Sequence, residues 1–173
     1  MTLGEQIRAF DNAVDTAFDR VRSPALDEIV LRVSSAADHS LLWHAAGLTR
    51  ELVGRGDLSR AARFALAMGV ESALTNGAIK GIFGRMRPVD YTEVDFRFGL
   101  RRPITTSFPS GHATAAFCAA TLLGGGPLWY GAAAAVAATR IYVRLHHASD
   151  VLAGAALGLA LGWSMRPFVR RGE

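Results

Sequence analysis

The chain of 173 residues contains one cysteine, Cys118, and one lysine, Lys80. A single thiol cannot close an internal disulfide, and Cys118 sits in an apolar stretch, so cysteine usage carries no message about redox compartment. Arginine supplies nearly all the positive charge, with 19 Lys+Arg against 15 Asp+Glu. These cations form no continuous basic stripe, which excludes the usual footprint of a nucleic-acid partner. Most gather near the ends of apolar segments, where headgroup contact, snorkelling or phosphate binding suits them better. Residues 1–22 alternate acidic and apolar positions and lack the basic start and apolar core of a signal peptide. Internal repeats and low-complexity tails are also missing. The acidic stretch "VDYTEVDF" from Val89 to Phe96 has no compact ligand-loop spacing, so no metal and no other cofactor is expected.

What the chain does have is apolar helix. Hydrophobic residues make up 50% of it and the mean hydropathy is +0.21, values that point to a membrane protein. Leu3, Ile7, Phe10, Val14, Phe18 and Val21 recur at helical spacing with Glu5, Arg8, Asp11, Asp15 and Asp19 between them. That pattern predicts an amphipathic helix packed on the protein or lying in the membrane interface. Ser23-Pro24 interrupts it before a second short helical pattern from Ala25 to about Val33.

Candidate spans follow at about Ala36 to Val53, about Ala62 to Phe83, and then at about residues 110–123, 128–145 and 149–168. Asp38, His39, His44 and Arg50 interrupt the first, and Glu71 and Asn76 lie in the second. "GGGP" separates the third from the fourth as a helix stop and turn. Spans of about 18–20 residues only just cross a hydrocarbon core of about 30 Å, so a compact bundle is expected. Gly154, Gly158 and Gly162 fall on one face of the last span, which predicts close packing against a neighbouring helix. The expected fold is an all-α, polytopic transmembrane helix bundle of about five spans. Residues 1–35 form its amphipathic, interfacial N-terminal segment and residues 36–173 the membrane domain.

Charged groups among apolar helices are costly and are usually retained for a reason. In "KGIFGRMRP", Lys80 and Arg87 are nearly two helical turns apart, so both can project from one face at the end of the second span. Pro88 then discourages continuation of the helix. Pro109-Ser110-Gly111-His112 opens the third span, where a helix N-terminus offers unpaired N–H groups and Gly111 admits an anion to the backbone. In "TRIYVRLHHASD", Arg140 ends the fourth span, and His146 and Asp150 share a face if that turn is helical. Each group alone has a bland reading as a snorkelling pair, a cap or a structural histidine. Together they lie at ends of spans that an up-and-down bundle brings to one side, forming an oxyanion site with a nucleophile and an acid. Arg144, one turn beyond Arg140, is assigned to snorkelling ahead of a contribution to the phosphate field. Glu71 is as readily a structural hydrogen-bonding group as a functional one, and His147 a neighbour without chemistry.

Taken in order, Lys80 with Arg87-Pro88, then Pro109-Ser110-Gly111-His112, then Arg140 with His146 and Asp150, resemble the three-part signature of the type 2 phosphatidic acid phosphatase superfamily. The resemblance covers about residues 62–165. One departure is Thr139, where the family usually has serine; the hydroxyl is kept. The resemblance implies a metal-independent phosphatase working through a phosphohistidine intermediate. His146 would be the nucleophile, Asp150 its orienting carboxylate and His112 the acid and base. Lys80, Arg87, Arg140, Ser110 and Gly111 would hold the phosphate oxygens.

The implied substrate is a membrane lipid phosphate, either a monoester or a diphosphate of a polyprenyl or glycerolipid, met at the lipid bilayer. Composition and length resemble small actinobacterial members, which makes decaprenylphosphoryl-phosphoribose one candidate. Two alternatives share parts of the pattern: vanadate-dependent haloperoxidase chemistry, which multiple spans and small size disfavour, and a non-catalytic lipid-binding protein, which the presence of His112, His146 and Asp150 disfavours. The expected location is a bacterial plasma membrane. A slight excess of cations on the site's side puts the site toward the cytoplasm by the positive-inside rule, although the family more often faces outward.

Overall fold

A computed structural model of the chain describes residues 1–55, 57–88 and 106–171, without the side chains of His39 and Arg55. The acidic stretch from Val89 to Phe96 lies outside the described residues. Among those residues every regular element is helical. Helix α1 (Leu3–Asp19) begins with a capping box in which the Glu5 N–H donates to Thr2 Oγ1 and the Thr2 N–H to Glu5 Oε2. The chain turns at Ser23, whose hydroxyl accepts from the Leu26 N–H, and Pro24 opens α2 (Pro24–Ala36). A 3₁₀ turn, Asp38–Ser40, leads into α3 (Leu41–Arg55).

The second expected span begins earlier than its hydropathy suggests, because Asp57 caps α4 (Leu58–Ser72) by accepting from the Arg60 N–H at 2.8 Å. The rod continues through a π-helical stretch, Ala73–Ile79, and a last turn, α5 (Lys80–Ile82). The chain is extended at Phe83, so Lys80 and Arg87 do not share a helix face as the sequence spacing predicts. The reason is tertiary: the Arg85 carbonyl accepts from the Ser107 N–H at 2.9 Å, so this backbone pairs with the segment before α6 instead of continuing a helix.

Helix α6 (Gly111–Leu122) is buried on nearly all sides. Gly124 and Gly125, both at positive φ, turn the chain into α7 (Pro127–Tyr142). Helix α7 stops short of the expected residue 145 because Arg144 takes a left-handed conformation at φ +55°, which folds the Leu145 and His146 N–H groups back onto the Arg140 carbonyl, both at 3.1 Å. Helix α8 (Ala148–Val169) is 22 residues long. Among the described residues it is the one helix both long and apolar enough by itself to cross a membrane. Helix α6, at 12 residues, is about 18 Å long, shorter than a hydrocarbon core. Leu66, Val70, Leu128, Leu152 and Trp163 turn outward, while Trp43, Phe64, Met68 and Leu122 pack in the core.

The expected glycine contact is present. A Cβ on Gly154 would stand 2.5 Å from the Ser110 carbonyl oxygen of α6, one on Gly162 2.6 Å from Thr121 Cβ, and one on Gly158 would overlap the Thr114 carbonyl. Backbone atoms cannot swing aside as a side chain can, so α6 and α8 approach this closely only because no side chain intervenes. Gly158→Leu is therefore expected to destabilise the protein by at least about 1–3 kcal/mol, read as a lower unfolding midpoint in detergent. Gly69→Ala, where an added Cβ would meet nothing within 4 Å, should leave that midpoint unchanged or raise it slightly.

Candidate active site

The α6–α8 contact sets the starts of two helices side by side. Ser110 caps α6, and its own N–H donates to the Asp150 carbonyl at 3.0 Å. The turn after α7 carries His146 to the same place, and its side chain is 2% exposed. Arg87 comes from the extended segment after α5. Its Nη1 lies 3.2 Å from His146 Nε2 and also donates to the Leu145 carbonyl, and its Nη2 donates to the Thr106 carbonyl at 3.2 Å.

A guanidinium can only donate, so Nε2 of His146 is the acceptor and the ring proton of the neutral form belongs on Nδ1. That nitrogen faces Asp150 Oδ2 at 3.8 Å. The pair is in ion-pair range but longer than a hydrogen bond. His146 stands before the first turn of α8, which starts at Ala148, so tertiary packing and not a shared helical face brings it to Asp150. Burial holds the imidazole well below its ordinary pKa, and the charges of Arg87, Arg140 and Lys80 press in the same direction.

Asp150 is fully buried and saturated with donors. Oδ1 accepts from Arg85 Nη1 at 2.6 Å; Oδ2 accepts from the Ser107 hydroxyl and from the His147 N–H at 2.9 Å. Behind it, Asp11 of α1, itself 2% exposed, accepts from Arg85 Nη2 at 2.7 Å and from the Ser149 N–H at 2.8 Å and hydroxyl at 2.9 Å. The polar face of α1 thus locks onto the start of α8. Arg144 belongs to the same seam. Its Nη2 donates to Asp19 at 2.5 Å and its Nη1 lies 3.7 Å from Asp15, so it ties α1 to the turn after α7.

Across the site, His112 Nε2 lies 2.8 Å from Asp38 Oδ1. Arg140 is buried, with Nη1 donating to the Ser34 hydroxyl at 2.5 Å and reaching the same Asp38 oxygen at 3.4 Å. Lys80 is buried within electrostatic range of Arg87, Arg140, Asp150 and Glu71. An added Cβ on Gly111 would stand 2.8 Å from Asn76 Oδ1 of the π-helical stretch. The Thr139 hydroxyl donates to the Val136 carbonyl at 2.7 Å, so threonine fits in place of the usual serine. Glu71 accepts from the Thr75 hydroxyl at 3.0 Å, a contact between neighbouring turns. Among the described residues no group of three or more His, Cys, Asp or Glu is arranged to hold a metal ion.

Lys80, Arg87, Arg140, His146 and Asp150 therefore share one end of the bundle with Ser110, Gly111 and His112. The sequence reading did not single out Arg85, Asp38, Asp11, Ser107 or Ser34. Asp38 had a signal, a carboxylate interrupting an apolar span; Asp11 had none that set it apart from Asp15 and Asp19.

This fold is that of transmembrane phosphatases. The sequence profile of the PAP2 superfamily matches residues 60–172, and the chain belongs to that family. It is 32% identical over 136 residues to decaprenylphosphoryl-5-phosphoribose phosphatase of Mycobacterium tuberculosis, covering 75% of this chain and 73% of that protein. It is 37% identical over 107 residues to lipid A 1-phosphatase of Porphyromonas gingivalis, covering 57% of this chain and 21% of that protein, so it spans about a fifth of that relative's length. Among solved structures, the transmembrane PAP2-type phosphatidylglycerolphosphate phosphatase of Bacillus subtilis superposes with a TM-score of 0.74 over 97% of this chain and 88% of its own, at 23% identity.

The burial of His146 has a direct spectroscopic consequence. In histidine-labelled protein, its ring nitrogens should remain in the neutral form, proton on Nδ1, from pH 7.5 down to about 5, whereas an ordinary imidazole is half protonated near 6.5. A His146 resonance titrating near 6.5 would mean that water reaches the ring.

Proposed function

We propose that the chain is a membrane lipid phosphatase that hydrolyses a phosphate monoester or diphosphate of a polyprenyl or glycerolipid through a phosphohistidine intermediate, without a metal. The observation that carries this reading is the orientation of His146: a buried imidazole with its lone-pair nitrogen, Nε2, turned to Arg87 and its other nitrogen turned to Asp150. A nucleophile needs that lone pair, and phosphoryl transfer needs little else than positioning and neutralised charge. In the proposed reaction Nε2 attacks phosphorus while Lys80, Arg87, Arg140, the Ser110 hydroxyl and the Gly111 N–H hold the non-bridging oxygens. Asp150 balances the charge that grows on the imidazole as the P–N bond forms. His112 gives a proton to the leaving oxygen and afterwards takes one from the attacking water.

The candidate substrate with the broadest support is decaprenylphosphoryl-phosphoribose, because the match to that relative runs through most of both chains. We place the membrane domain at residues 36–173, with about five crossings. Residues 1–35 then lie at the interface, where Leu3, Ile7 and Phe10 present an exposed apolar edge of α1 to lipid. The site is assigned to the cytoplasmic side of a bacterial plasma membrane on the distribution of arginines.

The test is rapid quench with labelled phosphate esters. Wild-type protein should release phosphate from a polyprenyl or glycerolipid phosphate; turnover of soluble sugar phosphates alone would sink the lipid assignment. With an aryl phosphate, His112→Ala should accumulate an acid-labile, base-stable phosphoenzyme, because the leaving group needs little protonation but the base for hydrolysis is gone. His146→Ala should trap no label, and label in that variant would move the nucleophile elsewhere.

Arg87→Lys keeps the charge but loses the planar fork that joins the phosphate site to Nε2 of His146. Its kcat should fall about 100- to 1,000-fold, or about 3–4 kcal/mol, the scale of a lost oxyanion donor. Near-normal turnover would remove Arg87 from the site.

A further inference from the structure

Residues before the family match supply a carboxylate to the site. Asp38 lies in the 3₁₀ turn between α2 and α3, outside residues 60–172, yet its Oδ1 is 2.8 Å from Nε2 of His112. The same oxygen is 3.4 Å from Arg140 Nη1, and that nitrogen also donates to the Ser34 hydroxyl of α2 at 2.5 Å. Asp38 is therefore shared between an imidazole at the first turn of α6 and a cation at the end of α7.

A carboxylate only accepts, so Nε2 of His112 carries a hydrogen and Nδ1 is the nitrogen left to exchange protons. An imidazolium at His112 also stands in the field of two cations, Arg140 and Lys80, and the Asp38 charge opposes theirs. Such balance matters in a site this buried, where unpaired charges cost most.

We propose that Asp38 is the positioning residue for His112, fixing the proton on Nε2 so that Nδ1 serves the leaving group and then the water. The inference rests on the phosphatase reading of the site. In the first half-reaction the Nδ1–H bond of the imidazolium breaks as its proton moves to the leaving oxygen. The P–O bond breaks with its electron pair on that oxygen, the P–N bond to His146 forms, and His112 is left neutral with Nε2–H on Asp38. In the second, Nδ1 takes a proton from water as the hydroxyl oxygen bonds to phosphorus and the P–N bond breaks, which restores both rings. The site would then hold two histidine–aspartate pairs, His146 with Asp150 and His112 with Asp38, the second taking its carboxylate from the turn before α3.

The alternative is that Asp38 only anchors Arg140, and dependence on the leaving group separates the two. In full-length protein, Asp38→Asn should lower kcat on a lipid alkyl phosphate about 100-fold, the lower end of what general acid catalysis contributes, and on p-nitrophenyl phosphate only about threefold, because that leaving group needs little protonation. Asp38→Glu should recover part of the alkyl activity. Equal losses on both substrates, or no loss on either, would overturn the proposal. A readout free of turnover comes from ring ¹⁵N shifts. Neutral His112 in the wild type should carry its proton on Nε2, with the population moving toward Nδ1 in Asp38→Ala. A wild-type His112 protonated on Nδ1, or a tautomer unchanged by the substitution, would also overturn it, even if Asp38→Asn failed to fold. Wild-type protein that hydrolysed no phosphate ester would instead remove the phosphatase reading, while the ring-proton measurement still decided the Asp38–His112 pairing.

Discussion

Everything at the site depends on how closely α8 can approach α6. Three glycines on α8 lay its backbone against the α6 backbone, and the contact begins where Gly154 meets the Ser110 carbonyl. That closeness lets the Ser110 N–H reach the Asp150 carbonyl at 3.0 Å, so the first turns of two helices are joined by a main-chain hydrogen bond. A side chain at any of the three positions would push the helices apart by about the width of a methyl group. Such a displacement is small for a core, but a catalytic constellation tolerates only about 0.5 Å. The packing surface and the reaction geometry are thus one constraint.

The second requirement is to bury several charges in an apolar bundle. Burial of an unpaired ion is prohibitive, and a pair survives only if its remaining donors and acceptors are also satisfied. The chain meets this with carboxylates from its N-terminal helices. Asp11 takes the second nitrogen of Arg85 and both donors of Ser149, which leaves the first nitrogen of Arg85 for Asp150. Nearer the surface, Asp15 and Asp19 take the partly exposed Arg144. Ser34 and Asp38 take Arg140. An amphipathic helix that by pattern alone would rest on a membrane surface is bound through its acidic side to the elements that carry His146 and Asp150, with its leading apolar residues exposed.

The sequence made some of this legible and hid the rest for identifiable reasons. Helix starts at Leu3, Pro24 and Gly111, the turn at Gly124-Gly125 and the glycine face of α8 could be read because each rests on local chemistry, a cap or a missing side chain. The early end of α7 could not, since it depends on a left-handed arginine, which local propensity argues against. The extended path of Arg87 was hidden for a similar reason: the hydrogen bond that makes it extended comes from Ser107, far along the chain. Signature residues could be recognised, but not their partners. Asp11, Asp15 and Asp19 are indistinguishable along an amphipathic helix, and only the docking of α1 shows that Asp11 faces Arg85 and the other two face Arg144.

The two histidines differ in which ring nitrogen the protein holds, and that difference follows from where each is attached. His146 lies in a turn bonded back onto the Arg140 carbonyl, which leaves its Nδ1 toward Asp150 and its Nε2 toward Arg87. His112 lies in the first turn of α6 and gives its Nε2 to Asp38, so its Nδ1 is the nitrogen available. In the transfer proposed above, the nucleophilic ring and the proton-donating ring each need one nitrogen held and the other presented. Two helices starting side by side bring both rings to one end of the bundle, each oriented by its own backbone attachment and by a carboxylate of its own.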